Sequence, residues 1–365
     1  MLTGRRDFLS AALISAGQTG RAPKPAPGKL GIPGPFPGRV VAVRHPGCIA
    51  SDKYQQGPVQ QMIQRGMLEL TGAPGWVDAW RVFVESGDVV GIKLNPNGMP
   101  RVISAPEVLH AVIDGLRQAG VKARDIVVFD RNRSFIMRAG YDKWLPEGVR
   151  WGWASETYDP IQLDMDGYDP DCYAELPVVQ PGQNPNDRHF RRSYAAKFVT
   201  KEINKLINIP VLKHHQSAGV TLALKNMAYG MANNVARSHQ NSTLHCTSVF
   251  IPAIVDLQPF RQKAVLHIVD GVKGVYHGGP SARPEYIWEH KTIYLATDPV
   301  AVDKIGWKEL DRKRAEMGMA AIALSKPDKV STRLNCQPEH IEIAGVLGLG
   351  EFDNARIELR NIELD

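Results

Sequence analysis

The sequence predicts an α/β fold, a parallel or mixed sheet with flanking helices in two lobes around a cleft. Three observations predict it. The first is a strand–helix–strand unit between Asp88 and Asp130, whose crossover helix requires a parallel strand pair. The second is a further alternation of strands and helices from Val199 onward. The third is composition: 365 residues with 43% hydrophobic and 22% charged is ordinary globular usage, which excludes wholesale disorder. A chain of this size buries a large core without staples.

The elements follow in order. Arg39 to Val43 reads as a strand and Gln60 to Leu70 as a helix. Asp88 to Leu94 is a buried-type strand ending in the turn Asn95-Pro96-Asn97-Gly98. Ala105 to Ala119 carries Val108, Leu109, Val112, Ile113 and Leu116 on one stripe, with Gly120 as its stop. Asp125 to Asp130 is the next strand. Residues 151–192, rich in Asp, Pro, Tyr and Trp, read as a long irregular insertion. A helix over Val199–Leu206, a strand over Ile207–Lys213 and a helix over Leu222–Met231 follow. Ala264–Val269 and Thr292–Ala296 read as strands, Asp298-Pro299 as a capped helix start. Ile341–Ile343 and Ile357–Leu359 close the chain as strands.

Residues 1–22 pair Arg5-Arg6 with a short apolar run, Phe8 to Ala16, and resemble a twin-arginine export signal. Residues 23–38, rich in Pro and Gly, read as a linker, leaving 39–365 as the α/β body. The expected location is periplasmic or otherwise extracytoplasmic, with the twin-arginine export machinery as a partner. No apolar stretch is long enough to span a bilayer. Lys+Arg 44 against Asp+Glu 38 gives +6, a mild excess spread along the chain, so a nucleic-acid partner is not expected. Cys48, Cys172, Cys246 and Cys336 form no Cys-x-x-Cys pair, and no iron–sulfur cluster is expected.

The densest chemistry lies between Leu212 and Asn226. A strand there runs through Lys213, His214 and His215 into Gly219 and Thr221, then into a helix carrying Lys225 and Asn226. Such a turn aims backbone N–H groups at an anion. Lys225 would neutralise a phosphate or carboxylate, or serve as a covalent attachment point. His214 and His215 supply proton transfer or metal ligation, but adjacent strand residues face opposite ways, so one of them enters the site, His215 by choice. Lys93 and Asn95 end one strand of the crossover unit, and Asp130 with Arg131 ends the next, at the edge where open α/β sheets bind ligands. Asp270 ends a later strand and His277 sits in a Gly-rich loop. Nucleotide-fold and serine-hydrolase fingerprints are absent.

These stretches carry a resemblance. DVVGIKLNPN (88–97), PVLKHHQSAGVTLALKNMAYG (210–230), HIVDGVKGVYHGGP (267–280), LATDPVAVD (295–303) and GLGEFDNARIEL (348–359) resemble the bacterial domain of unknown function 362 (DUF362) family. Many members of that family carry ferredoxin-like cysteines, which this chain lacks. A fainter resemblance is to the nickel-dependent lactate racemase fold, in the segment from His215 to Lys225. It implies Lys225 as tether of a nickel-type cofactor and His239 as a metal ligand. The racemase's Asp-x-Thr-Arg strand end is replaced by Lys93-Leu94-Asn95-Pro96, and Asp130-Arg131 stands where that family has a His. The cofactor therefore stays open between none and a divalent metal.

The expectation is an enzyme acting on a small anionic organic substrate, metal- or cofactor-assisted. His215, Lys225, His277 and Asp270 are its candidate catalytic groups. Lys93, Asn95, Asp130, Lys213, Gly219, Thr221 and Asn226 would bind ligand, and His214 and His239 metal. The alternative is a non-catalytic periplasmic ligand-binding or assembly protein using the same cleft.

Overall fold

The computed structural model describes residues 30–159, 163–240, 246–332 and 337–365. The twin-arginine segment and residues 23–29 of the expected linker lie outside them, as does Cys336. Where the expected linker is described, it belongs to the fold. Ile32 is fully buried, and its amide donates to the Arg261 carbonyl at 2.8 Å.

The strands that position the site are β1 (Arg39–Arg44), β2 (Val90–Lys93), β3 (Ile126–Phe129), β4 (Arg150–Gly152), β5 (Tyr168–Glu175), β6 (Arg192–Ala196), β7 (Lys205–Asn208), β8 (Val211–His215), β9 (Ala264–Val275), β10 (Ile287–Ala296) and β11 (Glu358–Glu363). The main sheet has ten strands, with the order β11-β1-β10-β9-β7-β2-β3-β4 along its path. From β9 to β4 every neighbour is parallel, while β10 runs antiparallel to both β1 and β9. Strands β7 and β8 both pair with β9. Pro210 separates them because it has no N–H for the ladder. Its carbonyl still accepts from the Asp270 amide at 2.8 Å.

Helices cover both faces. Among them are α1 (Gln56–Thr71), α2 (Pro106–Gln118), α3 (Arg133–Ala139), α4 (Ala223–Gly230), α5 (Ala236–Gln240), α6 (Cys246–Val255), α7 (Pro299–Glu316) and α8 (Glu339–Val346). Strand residues alternate between the two cores, as a sheet covered on both sides requires. Val41, Val43, Ile126 and Val128 pack in one core with the α2 stripe. Val40, Ala42, Val127 and Phe129 pack in the other, with Phe250 and Ile305. The mixed α/β class read from the sequence is the observed one, with a mostly parallel sheet.

Two element assignments change. The helix expected over Val199–Leu206 is cut short: a π-helical turn (Phe198–Glu202) leads into β7, which is hydrogen-bonded to β2 on one side and β9 on the other. Pairing on both edges overrides the local helical spacing. Ile341–Ile343 is not a strand but the middle of α8, which starts after Pro338 with Glu339 and Glu342 in its first turn, where acidic residues suit the helix dipole. The irregular 151–192 segment contains β5, which pairs with β6 as a separate two-stranded sheet. Cys48, Cys172 and Cys246 are free thiols, and burial pushes them up to about 12, 11 and 11.

Candidate functional site: a cationic cavity at the carboxyl edge of the sheet

In the parallel half, Lys93 lies in register with Phe129 on one side and Asn208 on the other. The chain leaves all three strands at one level, and the residues that follow line a cavity of about 250 Å³. Strand β2 contributes Lys93 and Asn95, and β3 is followed by Asp130 and Arg131. Lys213 and His215 come from β8, Thr221 from the turn, and Lys225 and Asn226 from α4. His239 of α5 completes the set expected from the sequence.

Lys93 and Asp130 form a buried ion pair at 2.7 Å, and the Lys93 ammonium also donates to the Leu94 carbonyl. Burial still holds the Lys93 pKa below its ordinary value, against the opposing pull of Asp130. Gly230 lies against this amine, and a Cβ there would collide with the Lys93 side chain. Lys213 donates to Asn95 Oδ1 at 3.1 Å and to the Asn97 carbonyl. Its pKa falls from 10.5 to about 7, chiefly by burial and then by the Lys93 charge. Lys225 sits over the Tyr229 ring, 4.0 Å from its centroid. Burial and the charges of Lys213, Arg131 and Lys93 push its pKa well down. Among the described residues no carboxylate pairs with Lys213 or Lys225.

A relay of amides fixes the floor. Asn95 Nδ2 donates to Asn226 Oδ1 at 3.0 Å, Asn226 Nδ2 to Asn208 Oδ1 at 2.8 Å, and Asn208 Nδ2 to the Ala223 carbonyl at 3.0 Å. The end of β2, β7 and α4 are thereby held in one register. Among the described residues the buried Thr221 hydroxyl has no hydrogen-bond partner, which leaves it for a ligand or water.

His215 Nδ1 accepts from the Ser217 amide at 3.1 Å. In the neutral ring that places the proton on Nε2, so His215 presents an N–H donor. Burial, followed by the Lys225 charge, pushes its pKa well below the ordinary value and keeps the ring neutral. His239 packs 5.6 Å from His215 and 4.7 Å from Tyr229, centroid to centroid.

Four of the expected residues lie elsewhere. Gly219, with φ +75°, pairs with His215 and makes the turn itself. Asp270 is fully buried and accepts from the Ala105 amide at 2.9 Å, the Val272 amide at 3.2 Å and the Tyr54 hydroxyl at 3.2 Å. It anchors the start of α2, and burial raises its pKa to about 7. His214 leaves β8 on the side opposite His215, and its ring lies 5.4 Å from His277. His277 in turn is held between Asp328 (2.7 Å) and Arg314 (3.0 Å). His214 and His239 therefore do not converge, and a metal held by both does not fit. Among the described residues no group of three His, Cys, Asp or Glu side chains assembles as a metal site.

The helix N-terminus also differs from expectation. The Ala223 and Leu224 amides at the start of α4 donate to Asp303, at 2.6 and 3.0 Å. These donors are spent on a carboxylate of the protein's own, so anion attraction falls to the side chains. Asp298 caps α7 as expected, accepting from Val300 and Ala301, and also from Gly38 and Glu351.

Sequence reasoning passed over Asn132, Tyr158 and Tyr229, which also line the cavity. Tyr229 stands one helical turn after Lys225, a spacing that could have signalled it. Tyr158 comes from the irregular segment and stacks on Arg131, 5.8 Å from the guanidinium. Arg131, noted at the strand end, also donates to the Ala232 carbonyl at 3.2 Å.

The fold and cavity define a class: a mixed α/β protein with a lysine-rich pocket at the carboxyl edge of its parallel strands. The chain belongs to the DUF362 family, described as a domain of unknown function, whose model matches residues 90–308. That span holds every residue named in the cavity. No curated protein matches the sequence. Among solved structures it is similar to a protein from Thermotoga maritima, with 11% identity and TM-score 0.36 over 62% of this chain and 52% of that one. It is also similar to the lactate racemase apoprotein from Thermoanaerobacterium thermosaccharolyticum, with 10% identity and TM-score 0.36 over 72% of this chain and 55% of that one. The chain thus spans about half the length of either neighbour.

Proposed function

We propose that this protein is an exported enzyme acting on a small organic acid that carries one or two anionic groups. The observation that supports this most is the charge balance of the cavity. Among the described residues lining it, the lysines Lys93, Lys213 and Lys225 share one carboxylate, Asp130, which is joined to Lys93. Burying Lys213 or Lys225 as an ammonium with no carboxylate partner is costly, and an anionic ligand removes that cost. A volume of about 250 Å³ suits a compact acid. Lys213 and Arg131 would hold the anionic groups, with Asn226 and the Thr221 hydroxyl as neutral partners. His215 would present its N–H to oxygen charge developing during reaction.

The first test is calorimetric titration with oxalate, malonate and phosphate, followed by proton NMR of 2-hydroxy and 2-oxo acids incubated with the protein in deuterium oxide. Binding together with exchange or turnover is expected. Binding with no chemistry on any acid would replace the enzyme by the non-catalytic ligand-binding reading. Intact mass and elemental analysis of the exported protein test for a metal or a group carried by Lys225. Fusion of residues 1–22 to a reporter tests export.

A further inference from the structure

The three cavity lysines differ in what their amines touch. Lys93 Nζ is committed to Asp130 and the Leu94 carbonyl. Lys213 Nζ donates to Asn95 and Asn97. Among the described residues Lys225 Nζ meets no oxygen acceptor, only the face of Tyr229 at 4.0 Å. Acceptors stabilise an ammonium, whereas a desolvated amine beside other cations is left with its lone pair free. Lys225 is 7% exposed and opens on the cavity, so that lone pair is accessible to a ligand and shielded from bulk water. Lys213 and Arg131 stand on the same walls as anchors for a carboxylate. His215 adds a neutral N–H donor, its Nδ1 being occupied by the Ser217 amide.

From this arrangement we infer that Lys225 Nζ forms an imine with a small 2-oxo acid whose carboxylate is held by Lys213 and Arg131. The inference deepens the anionic-substrate reading and rests on it. The Nζ lone pair forms the N–C bond while the carbonyl π pair moves to oxygen, where the His215 N–H meets the developing charge. One amine proton passes to that oxygen, giving a carbinolamine. The C–O bond then breaks and the hydroxyl leaves as water with the second amine proton, leaving C=N. Nothing is oxidised or reduced. The product acidifies the adjacent C–H bonds of the bound acid, which is the use such a lysine serves. Lys93 lacks the free lone pair for this step because its ion pair with Asp130 holds it as an ammonium.

The test incubates the full-length protein separately with pyruvate, glyoxylate and 2-oxoglutarate in the presence of sodium cyanoborohydride, followed by intact mass and peptide mapping. One reduced adduct on Lys225 is expected, absent in Lys225→Arg and in Lys225→Met, with folding of both checked by circular dichroism. Lys213→Gln should slow the adduct at Lys225 about ten- to a hundredfold, the equivalent of one charged hydrogen bond. No adduct with any of the three acids, or adducts on exposed lysines alone, would overturn the inference. Oxalate, an anion with no ketone, separates the two levels. If oxalate binds but no adduct forms, the imine alone fails; if oxalate does not bind either, the anionic-site reading fails with it.

Discussion

Oxalate binding should take up protons, and the uptake should grow with pH. Lys213 is fully buried and its pKa is lowered from 10.5 to about 7, a penalty on the ammonium of roughly 5 kcal/mol. The groups sharing its cavity are Lys93, Lys225, Arg131, His215 and His239, and Asp130 is engaged with Lys93. A dianion beside Lys213 pairs with the ammonium and returns its pKa toward the ordinary value. At about pH 6 the free lysine is already some nine-tenths charged, so uptake on its account is about 0.1 proton. At about pH 8 it is some nine-tenths neutral, and uptake rises to about 0.9, with any share from Lys225 added to that. Affinity should accordingly fall about tenfold per pH unit above 7. Calorimetry in buffers of different ionisation enthalpy reads the uptake directly. An uptake independent of pH, or one unchanged in Lys213→Met, would refute the reasoning.

Other consequences follow from the same geometry. Asp130→Asn strands the Lys93 charge in a buried site and should cost about 3–5 kcal/mol in urea unfolding, whereas Lys93→Met with Asp130→Leu should recover most of it. Asp270 has a folded pKa raised to about 7, above its ordinary 3.8. The folded chain then holds a proton the unfolded chain has lost, so stability should fall as pH rises from about 4 through 7, and Asp270→Asn should flatten that slope. Asp303→Ala removes the acceptor of the Ala223 and Leu224 amides and should cost about 1–3 kcal/mol for each donor left buried. It should also weaken oxalate binding, because α4 carries Lys225 and Asn226.

Much of this site was legible in the sequence because the crossover unit fixes where its residues must go. Once Asp88–Leu94 and Asp125–Asp130 are parallel neighbours, Lys93 and Asp130 have to emerge side by side, and they do, 2.7 Å apart. Strand alternation likewise decides between His214 and His215, and it is His215 that reaches the cavity. What failed to show depends on contacts distant in the chain. The α4 N-terminus reads locally as an anion site, yet Asp303 comes back to occupy its amides. Asp270 reads as a strand-end acid, but the start of α2 claims its carboxylate. The helix expected over Val199–Leu206 yields to β2 and β9, which take both edges of β7. Tyr158 had no local signal, since its segment lacks periodicity.

The most direct test of the cationic cavity is a crystal structure of the protein grown with oxalate. The account predicts the dianion between Lys213, Lys225 and Arg131, within hydrogen-bond distance of the Thr221 hydroxyl. Oxalate bound only outside the cavity, with the lysines in the same places, would contradict it.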